Sequence, residues 1–213
     1  MPPDVKLARR YTRSGLPVGV ESRADGKKVI TGYAAVFYDP NDPGTEYRMY
    51  SDMVERIMPG AFDKAIREND VRGLFNHEDC NILGRTKSGT MRLSVDKRGL
   101  KYEIDPPDTQ CARDLMQSID RGDVSGSSFM FRPIANTYRD VEGLYIVERN
   151  EVELFDVGPV CFPAYESTDT SVRSAADGEA VRREVESWLK TKRSVSTSAV
   201  KARAQAVAVA MAN

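Results

Sequence analysis

Short apolar runs with the two-residue period of β-strands make up much of residues 29–165. The run at 29–37 is rich in β-branched and aromatic residues, as strands usually are. Residues 90–95 and 100–104 alternate between apolar and polar positions, and the turn-forming residues 96–99 between them predict a hairpin. Further strands are predicted at 53–57, 71–77, 124–131, 144–148 and 152–160.

Three segments have the apolar spacing of amphipathic helices. A short helix is predicted at 61–68, directly after a proline and a glycine, and a second at 110–118. A third is predicted at 178–192, where the apolar stripe consists of Val181, Val185, Trp188 and Leu189. These patterns predict an α+β fold that is mainly antiparallel β, with about seven strands. The helices are too few to connect a doubly wound parallel sheet.

Charge divides the chain into a body and a basic end. The 213 residues suit one medium domain with tails, and the formal net charge is −1. Residues 171–213 carry eight Lys or Arg against four Asp or Glu, or +4, which leaves −5 for the rest. We therefore predict a polar, basic arm at 1–28, a core domain at 29–170, and a helix with a basic Ala/Ser-rich tail at 171–213. The tail is either solvated, docked on an acidic partner or nucleic acid, or removed.

Composition excludes several classes of function. No run of 18 apolar residues is present, and the first residues lack a hydrophobic segment, so neither a membrane span nor a secretory signal is expected. The body has no strongly basic face, which argues against nucleic-acid binding. Cys80, Cys111 and Cys161 are an odd number at wide spacings, which predicts a reducing compartment rather than a disulfide framework. No dinucleotide or phosphate-binding glycine motif is present, so no cofactor is expected.

His77 is the single histidine of the chain, so any site that needs two imidazoles is excluded. It ends a predicted strand and enters a polar loop, where a general base or acid can be exposed. Cys80 lies three residues away, but no second Cys/His pair completes a zinc site, so no metal is expected. A structural role for the imidazole is the alternative.

Two candidate nucleophiles accompany this histidine. The Ser/Gly-rich segment 122–131 begins a strand, and a serine there becomes a nucleophile if an imidazole takes its proton. The alternative is a small-residue turn that leads into a core strand. Cys111, on the predicted helix, is the rival nucleophile, although its position favours burial.

Six blocks of the sequence, taken in order, resemble the tailed-bacteriophage prohead maturation proteases, serine proteases related to the herpesvirus assemblins. The resemblance covers residues 29–170. The blocks are Gly32–Phe37, Glu55–Phe62, Leu74–Glu78, Leu83–Arg85, Gly122–Phe131 and Leu154–Tyr165. This resemblance implies an assemblin-like β-barrel core of about seven strands with a few flanking helices.

The resemblance also implies catalytic roles for individual residues. Ser128 is the nucleophile, because it precedes a Phe-x-Phe motif, and His77 is the general base. The second histidine of the herpesvirus relatives has no counterpart, so a carboxylate is expected behind His77. Asp156 is the first choice and Glu153 the second, and strand alternation places them on opposite faces. Backbone N–H groups or an arginine, for which Arg85 is the candidate, would stabilise the oxyanion.

Two positions depart from the family pattern. The last block has Asp156-Val157-Gly158 where the family often has Glu-Val-Ser, and Ser127 stands where an apolar residue is commoner. Neither departure removes the implied serine or histidine.

By this resemblance, the chain is expected to be a serine endopeptidase of phage head maturation that acts inside the procapsid in the host cytoplasm. Its implied substrates are the scaffolding protein, the scaffold-like N-terminal region of the major capsid protein, or both. Self-cleavage is expected to remove the basic tail, and a homodimer is expected by analogy with the herpesvirus relatives. The alternatives are a non-catalytic scaffold or capsid-assembly protein on the same fold, and a cysteine hydrolase that uses Cys111.

Overall fold

The computed structural model of the chain describes residues 8–12, 17–162 and 178–192. These residues contain eleven strands, three helices and a 3-10 turn at Pro43–Thr45. The first seven strands are β1 Ala8–Thr12, β2 Gly19–Ser22, β3 Lys28–Val36, β4 Glu46–Tyr50, β5 Met53–Ile57, β6 Arg72–Leu74 and β7 Ile82–Arg85. The other four are β8 Met91–Val95, β9 Gly99–Ile104, β10 Gly126–Val141 and β11 Leu144–Val160. The helices are α1 Ala65–Glu68, α2 Gln110–Asp120 and α3 at 178–192.

The described strands form two sheets, and most of their pairings are antiparallel. The larger sheet has the order β1-β10-β11-β5-β4, with β6 also paired to β11 and β7 paired to β6. The smaller sheet has the order β2-β3-β9-β8. Two pairings are parallel: the first part of β11 pairs with β5, and a later part of β11 pairs with β6. The predicted α+β class with a mainly antiparallel sheet is confirmed.

A closed barrel, which the resemblance implied, is not formed by the described strands. Closure would require the strands at the two ends of the larger sheet to pair, but β1 and β4 each pair with one neighbour only. The smaller sheet likewise ends at β2 and β8. The core therefore lies between two open sheets.

One long hairpin organises the larger sheet. β10 and β11 span 16 and 17 residues and turn at Glu142-Gly143, both with positive φ, as a two-residue hairpin turn requires. The sequence predicted a strand at 124–131 that ended near Phe131, and two strands in place of β11. The prediction ended too early because the second half of β10 is largely exposed and carries polar residues on both faces, so its apolar alternation is lost.

Phenylalanine side chains hold the half of this hairpin that carries Ser128 against the rest of the core. Phe129 and Phe131 are fully buried and their rings stack at 5.1 Å, and Phe62 meets Phe129 edge-on at 5.6 Å. Because successive side chains of a strand point to opposite faces, the burial of Phe129 and Phe131 directs Ser128 to the other face of β10.

A chain of four alternating charges, here called the ion chain, runs through the protein from β1 to α3. Arg10 of β1 donates to the Glu55 carboxylate of β5 at 3.0 Å, and Arg149 of β11 donates to the same carboxylate at 2.6 Å. Arg149 also donates to Glu184 of α3 at 2.6 Å. Glu55 and Arg149 are completely buried. Burial alone would raise the pKa of Glu55, but the charges of Arg10 and Arg149 outweigh burial and lower that pKa.

Replacing Glu55 by glutamine is expected to lower the free energy of unfolding by about 3–5 kcal/mol, because two buried arginines lose their shared carboxylate. Urea denaturation at neutral pH measures the loss. Since folding lowers the pKa of Glu55, its stabilisation is present above the unfolded-state pKa and is lost as the pH falls through the folded-state pKa. The variant should therefore lose less stability on acidification than the wild-type chain.

The matched control for Glu55 is Glu46→Gln, which removes a less buried ion pair with Arg56. This pair keeps contact with solvent, at 15% and 20% side-chain exposure, so its loss should cost clearly less than the loss at the fully buried Glu55. Equal losses in the two variants would contradict a dominant contribution from the ion chain.

Candidate active site

Ser128, His77 and Asp156 form a continuous hydrogen-bonded chain. Ser128 Oγ lies 2.6 Å from His77 Nε2, and His77 Nδ1 lies 2.5 Å from Asp156 Oδ1. All three side chains are buried. The two imidazole nitrogens thus have different partners, a hydroxyl on one side and a carboxylate on the other, which is the arrangement of a serine nucleophile with its general base and orienting acid.

The pairing of β10 with β11 sets the distance between the serine and the carboxylate. Ser128 lies opposite Gly158, and Asp156 lies opposite Met130, so Asp156 is a diagonal neighbour of Ser128 on the same face. β6 pairs with β11 at Asp156. The loop that follows β6 then places His77 within reach of both Asp156 on β11 and Ser128 on β10.

The histidine is placed by a left-handed turn, which differs from the predicted strand at 71–77. β6 ends at Leu74, and Asn76 and His77 have φ values of 56° and 59°. Residues other than glycine adopt this region infrequently, at about 1–3 kcal/mol each, and only where surrounding contacts hold them. At this turn the chain leaves the direction of β6, and the His77 ring comes within hydrogen-bonding distance of Asp156 on β11.

Position 158, opposite Ser128, is a glycine because β6 passes very close to this point of β11. A Cβ atom at Gly158 would lie 2.0 Å from the carbonyl oxygen of Leu74. The departure from the family pattern at this position therefore follows from the close approach of the strand that leads to His77.

Ser127, the second departure, has a partner in the core. Its Oγ lies 2.8 Å from the hydroxyl of Tyr102, and both side chains are buried. A polar residue is satisfied there by a hydrogen bond, so it does not compete with Ser128 for the histidine.

The two carboxylates that the sequence offered for the third position lie on the same face of β11, not on opposite faces as predicted, because a β-bulge between them shifts the alternation. Their partners nevertheless differ. Asp156 reaches His77, whereas Glu153 forms an ion pair with Arg132 at 2.8 Å and is 36% exposed. Arg85, the arginine considered for the oxyanion, is held by Asp70 through its Nε at 2.8 Å. Its guanidinium hydrogen-bonds the Asp70 carboxylate and lowers the pKa of that carboxyl to about 2.

β1 covers the serine. It pairs antiparallel with β10, with Tyr11 opposite Ser128, and the carbonyl oxygen of Arg10 accepts a hydrogen bond from Ser128 Oγ at 2.9 Å. A hydroxyl has one proton, so Ser128 donates either to His77 or to Arg10 at any moment. In this arrangement, β1 occupies the edge of β10 that is not paired with β11.

The cysteines lie apart from this chain of hydrogen bonds. Cys80, Cys111 and Cys161 are free thiols, and Cys111 contacts Asn81 at 3.4 Å. Burial raises the pKa of the Cys111 thiol, which disfavours the reactive thiolate. Across the part of the chain that the structure describes, no group of three His, Cys, Asp or Glu side chains could hold a metal ion. The helices described there are also too short or too polar to cross a membrane.

The sequence model of the caudovirus prohead serine proteases matches residues 17–184, most of the chain. The chain belongs to this family. Among curated proteins, the prohead protease of Enterobacteria phage HK97 is 28% identical over 177 residues, which cover 80% of this chain and 72% of that protein. Among solved structures, the bacteriophage T4 capsid assembly protease is similar over 73% of this chain and 97% of that chain, at 14% identity and a TM-score of 0.43.

Two features of this prohead protease family member were absent from the sequence prediction. The strand β1 has two consecutive arginines in five residues, and no alternation in the sequence indicated that it pairs with β10 beside Ser128. The bonds of Asn76 to the end of β11 were also missed, although asparagine before the histidine is a signal for a left-handed residue.

Proposed function

We propose that this chain is a serine endopeptidase in which Ser128 is the nucleophile, His77 the general base and Asp156 the orienting acid. The observation that supports it is the hydrogen-bonded chain of these three side chains in a member of a serine protease family. His77 is the single histidine of the chain, so no other imidazole can serve as the base, and the hydroxyl on its Nε2 is that of Ser128.

In the first half of the reaction, Ser128 Oγ attacks the carbonyl carbon of the scissile peptide bond while His77 Nε2 takes the hydroxyl proton. Asp156 accepts the Nδ1–H bond and stabilises the imidazolium that forms. The tetrahedral intermediate then collapses, the C–N bond breaks, and His77 gives its proton to the leaving amine.

In the second half, His77 takes a proton from water, and the hydroxyl oxygen attacks the acyl group on Ser128. The ester bond breaks, the proton returns to Ser128 Oγ, and the acid product leaves. The carboxylate of Asp156 takes the orienting role for which the herpesvirus relatives use a second histidine.

The substrates that suit a prohead protease are the scaffolding protein, the N-terminal region of the major capsid protein, or both, inside the procapsid in the host cytoplasm. Self-cleavage of the basic tail 171–213 and a homodimer, as in the herpesvirus relatives, belong to the same proposal. The family membership and the name of the HK97 relative support this setting.

Labelling with a fluorophosphonate probe tests the nucleophile without a known substrate, because Ser128 Oγ displaces fluoride from phosphorus. We expect the label on Ser128, located by peptide mass spectrometry, in both the wild-type chain and a Cys111→Ser variant. A label on Cys111, or none at all in any form of the chain, would overturn the proposal in favour of the cysteine hydrolase or the non-catalytic assembly protein.

Loosening β1 is expected to speed this labelling. Arg10→Ala removes the buried bonds that anchor β1 to Glu55 of β5 and leaves the backbone pairing of β1 with β10, so β1 opens more often and exposes the Ser128 hydroxyl. We expect labelling at least about tenfold faster, since a loss of 1.4 kcal/mol in β1 attachment changes its opening equilibrium by that factor. Equal rates in the two chains would show that β1 does not limit access to the serine.

A further inference from the structure

Asn76 ties the histidine loop to the end of the strand that carries Asp156. Its backbone N–H donates to the carbonyl oxygen of Pro159 at 3.0 Å, and its Oδ1 accepts from the N–H of Cys161 at 2.9 Å. Its Nδ2 also lies 3.5 Å from Cys161 Sγ. The main chain and the side chain of one residue thus bind β11 and its extension at two points, three and five residues beyond Asp156.

The conformation of this residue is as important as its bonds. Asn76 and His77 are consecutive residues with positive φ, and asparagine is among the residues that tolerate this region best. The loop is closed on its other side by Phe75, whose N–H donates to the carbonyl oxygen of Asn81 at 3.1 Å. The hydrogen bonds on both sides of the loop fix the peptide between Asn76 and His77. They thereby fix the Cα position of His77, from which the imidazole extends.

We propose that Asn76 is a positioning residue, whose amide clamp on β11 holds His77 in line with both Ser128 and Asp156. The inference rests on the proposed function. Both partners of the imidazole lie on β10 and β11, so a loop attached to β11 keeps a fixed distance from them. A loop detached from β11 lets the ring move relative to the serine, and a displacement of about 1 Å is enough to slow such a reaction about 10²-fold.

The test compares fluorophosphonate labelling of Asn76→Ala, Asn76→Gly and Asn76→Asp with that of the wild-type chain. Alanine removes the side-chain bond of the clamp and disfavours positive φ, glycine removes only that bond, and aspartate keeps the oxygen that accepts from Cys161. The backbone bond to Pro159 is available in all three variants. We expect the maximal labelling rate to fall about 10²-fold with alanine and about tenfold with glycine, and to be restored mostly by aspartate. The probe concentration for half-maximal rate should stay unchanged, because the clamp does not contact the probe.

Asn69 provides a matched control, because its side chain also binds the backbone of β11. Its Oδ1 accepts from the N–H of Leu154 at 2.8 Å, so Asn69→Ala removes the same kind of bond to β11 two residues before Asp156. We expect this variant to unfold at a lower temperature but to keep the wild-type labelling rate. If Asn76→Ala does not fold, Asn76→Gly decides, because glycine adopts the turn without strain.

Two outcomes would overturn the positioning role while leaving the protease intact. One is a wild-type labelling rate in Asn76→Ala and Asn76→Gly. The other is an equal fall in Asn69→Ala, which would mark a general loosening of β11. Absence of a label on Ser128 in the wild-type and Arg10→Ala chains would instead overturn the proposed function itself.

Discussion

Replacing Ser128 by alanine is expected to lower the rate of peptide hydrolysis about 10⁶-fold, the scale of loss when a serine protease is deprived of its nucleophile. The alanine methyl group cannot form an acyl-enzyme, and His77 then has no hydroxyl proton to take. Co-expression with the capsid and scaffolding proteins of the same phage, followed by intact-mass measurement, shows whether the products of cleavage disappear.

Ser127→Ala is the matched control, since Ser127 directly precedes Ser128 on the same strand and is also buried. It loses a hydrogen bond to Tyr102 and not a partner of His77, so processing should persist. Processing that survives Ser128→Ala but stops with Cys111→Ala would move the nucleophile to the thiol.

The exchange of Asp156 for asparagine is expected to lower the rate of hydrolysis about 10⁴-fold with little change of structure. The asparagine amide can donate to His77 Nδ1, which moves the ring proton to Nε2. That nitrogen then faces Ser128 with a proton and cannot accept another. The amide also lacks the negative charge that stabilises the imidazolium. The same mass measurement on co-expressed chains, taken as a time course, gives the rate.

Glu153→Gln separates the two carboxylates offered by the sequence. Glu153 lies three residues away on β11 and pairs with Arg132 at a partly exposed position, so its loss should leave the rate near the wild-type value. A large effect at Glu153 together with a small one at Asp156 would reverse the assignment.

The two-residue period of a strand was not sufficient to place the two candidate carboxylates of the site. Alternation predicts Asp156 and Glu153 on opposite faces of one strand, but a register shift lies between them. As a result both carboxylates lie on the same face of β11. The residues Ser128 and His77 came from motif resemblance, and their meeting depends on β6 passing beside β11. Helix α2, with Ala112, Leu115 and Ile119 buried, followed from its apolar spacing.

Features that depend on distant partners could not be predicted from the sequence. The second half of β10 is polar, and its strand conformation is fixed by pairing with β11 rather than by burial. The left-handed turn at His77 depends on contacts of Asn76 with residues more than 80 positions away. Arg10 and Glu55 are 45 positions apart, and nothing in either local sequence marks the charge as buried.

The ion chain also connects the two ends of the described structure thermodynamically. With Glu184 in place, two arginines and two carboxylates balance; without it, Arg10 and Arg149 share the single carboxylate of Glu55. A partner that draws α3 away therefore weakens the attachment of β1 beside Ser128. By linkage, a peptide that displaces β1 must loosen α3 by the same free energy. Exposure of the serine and release of α3 are then linked equilibria, each of which favours the other.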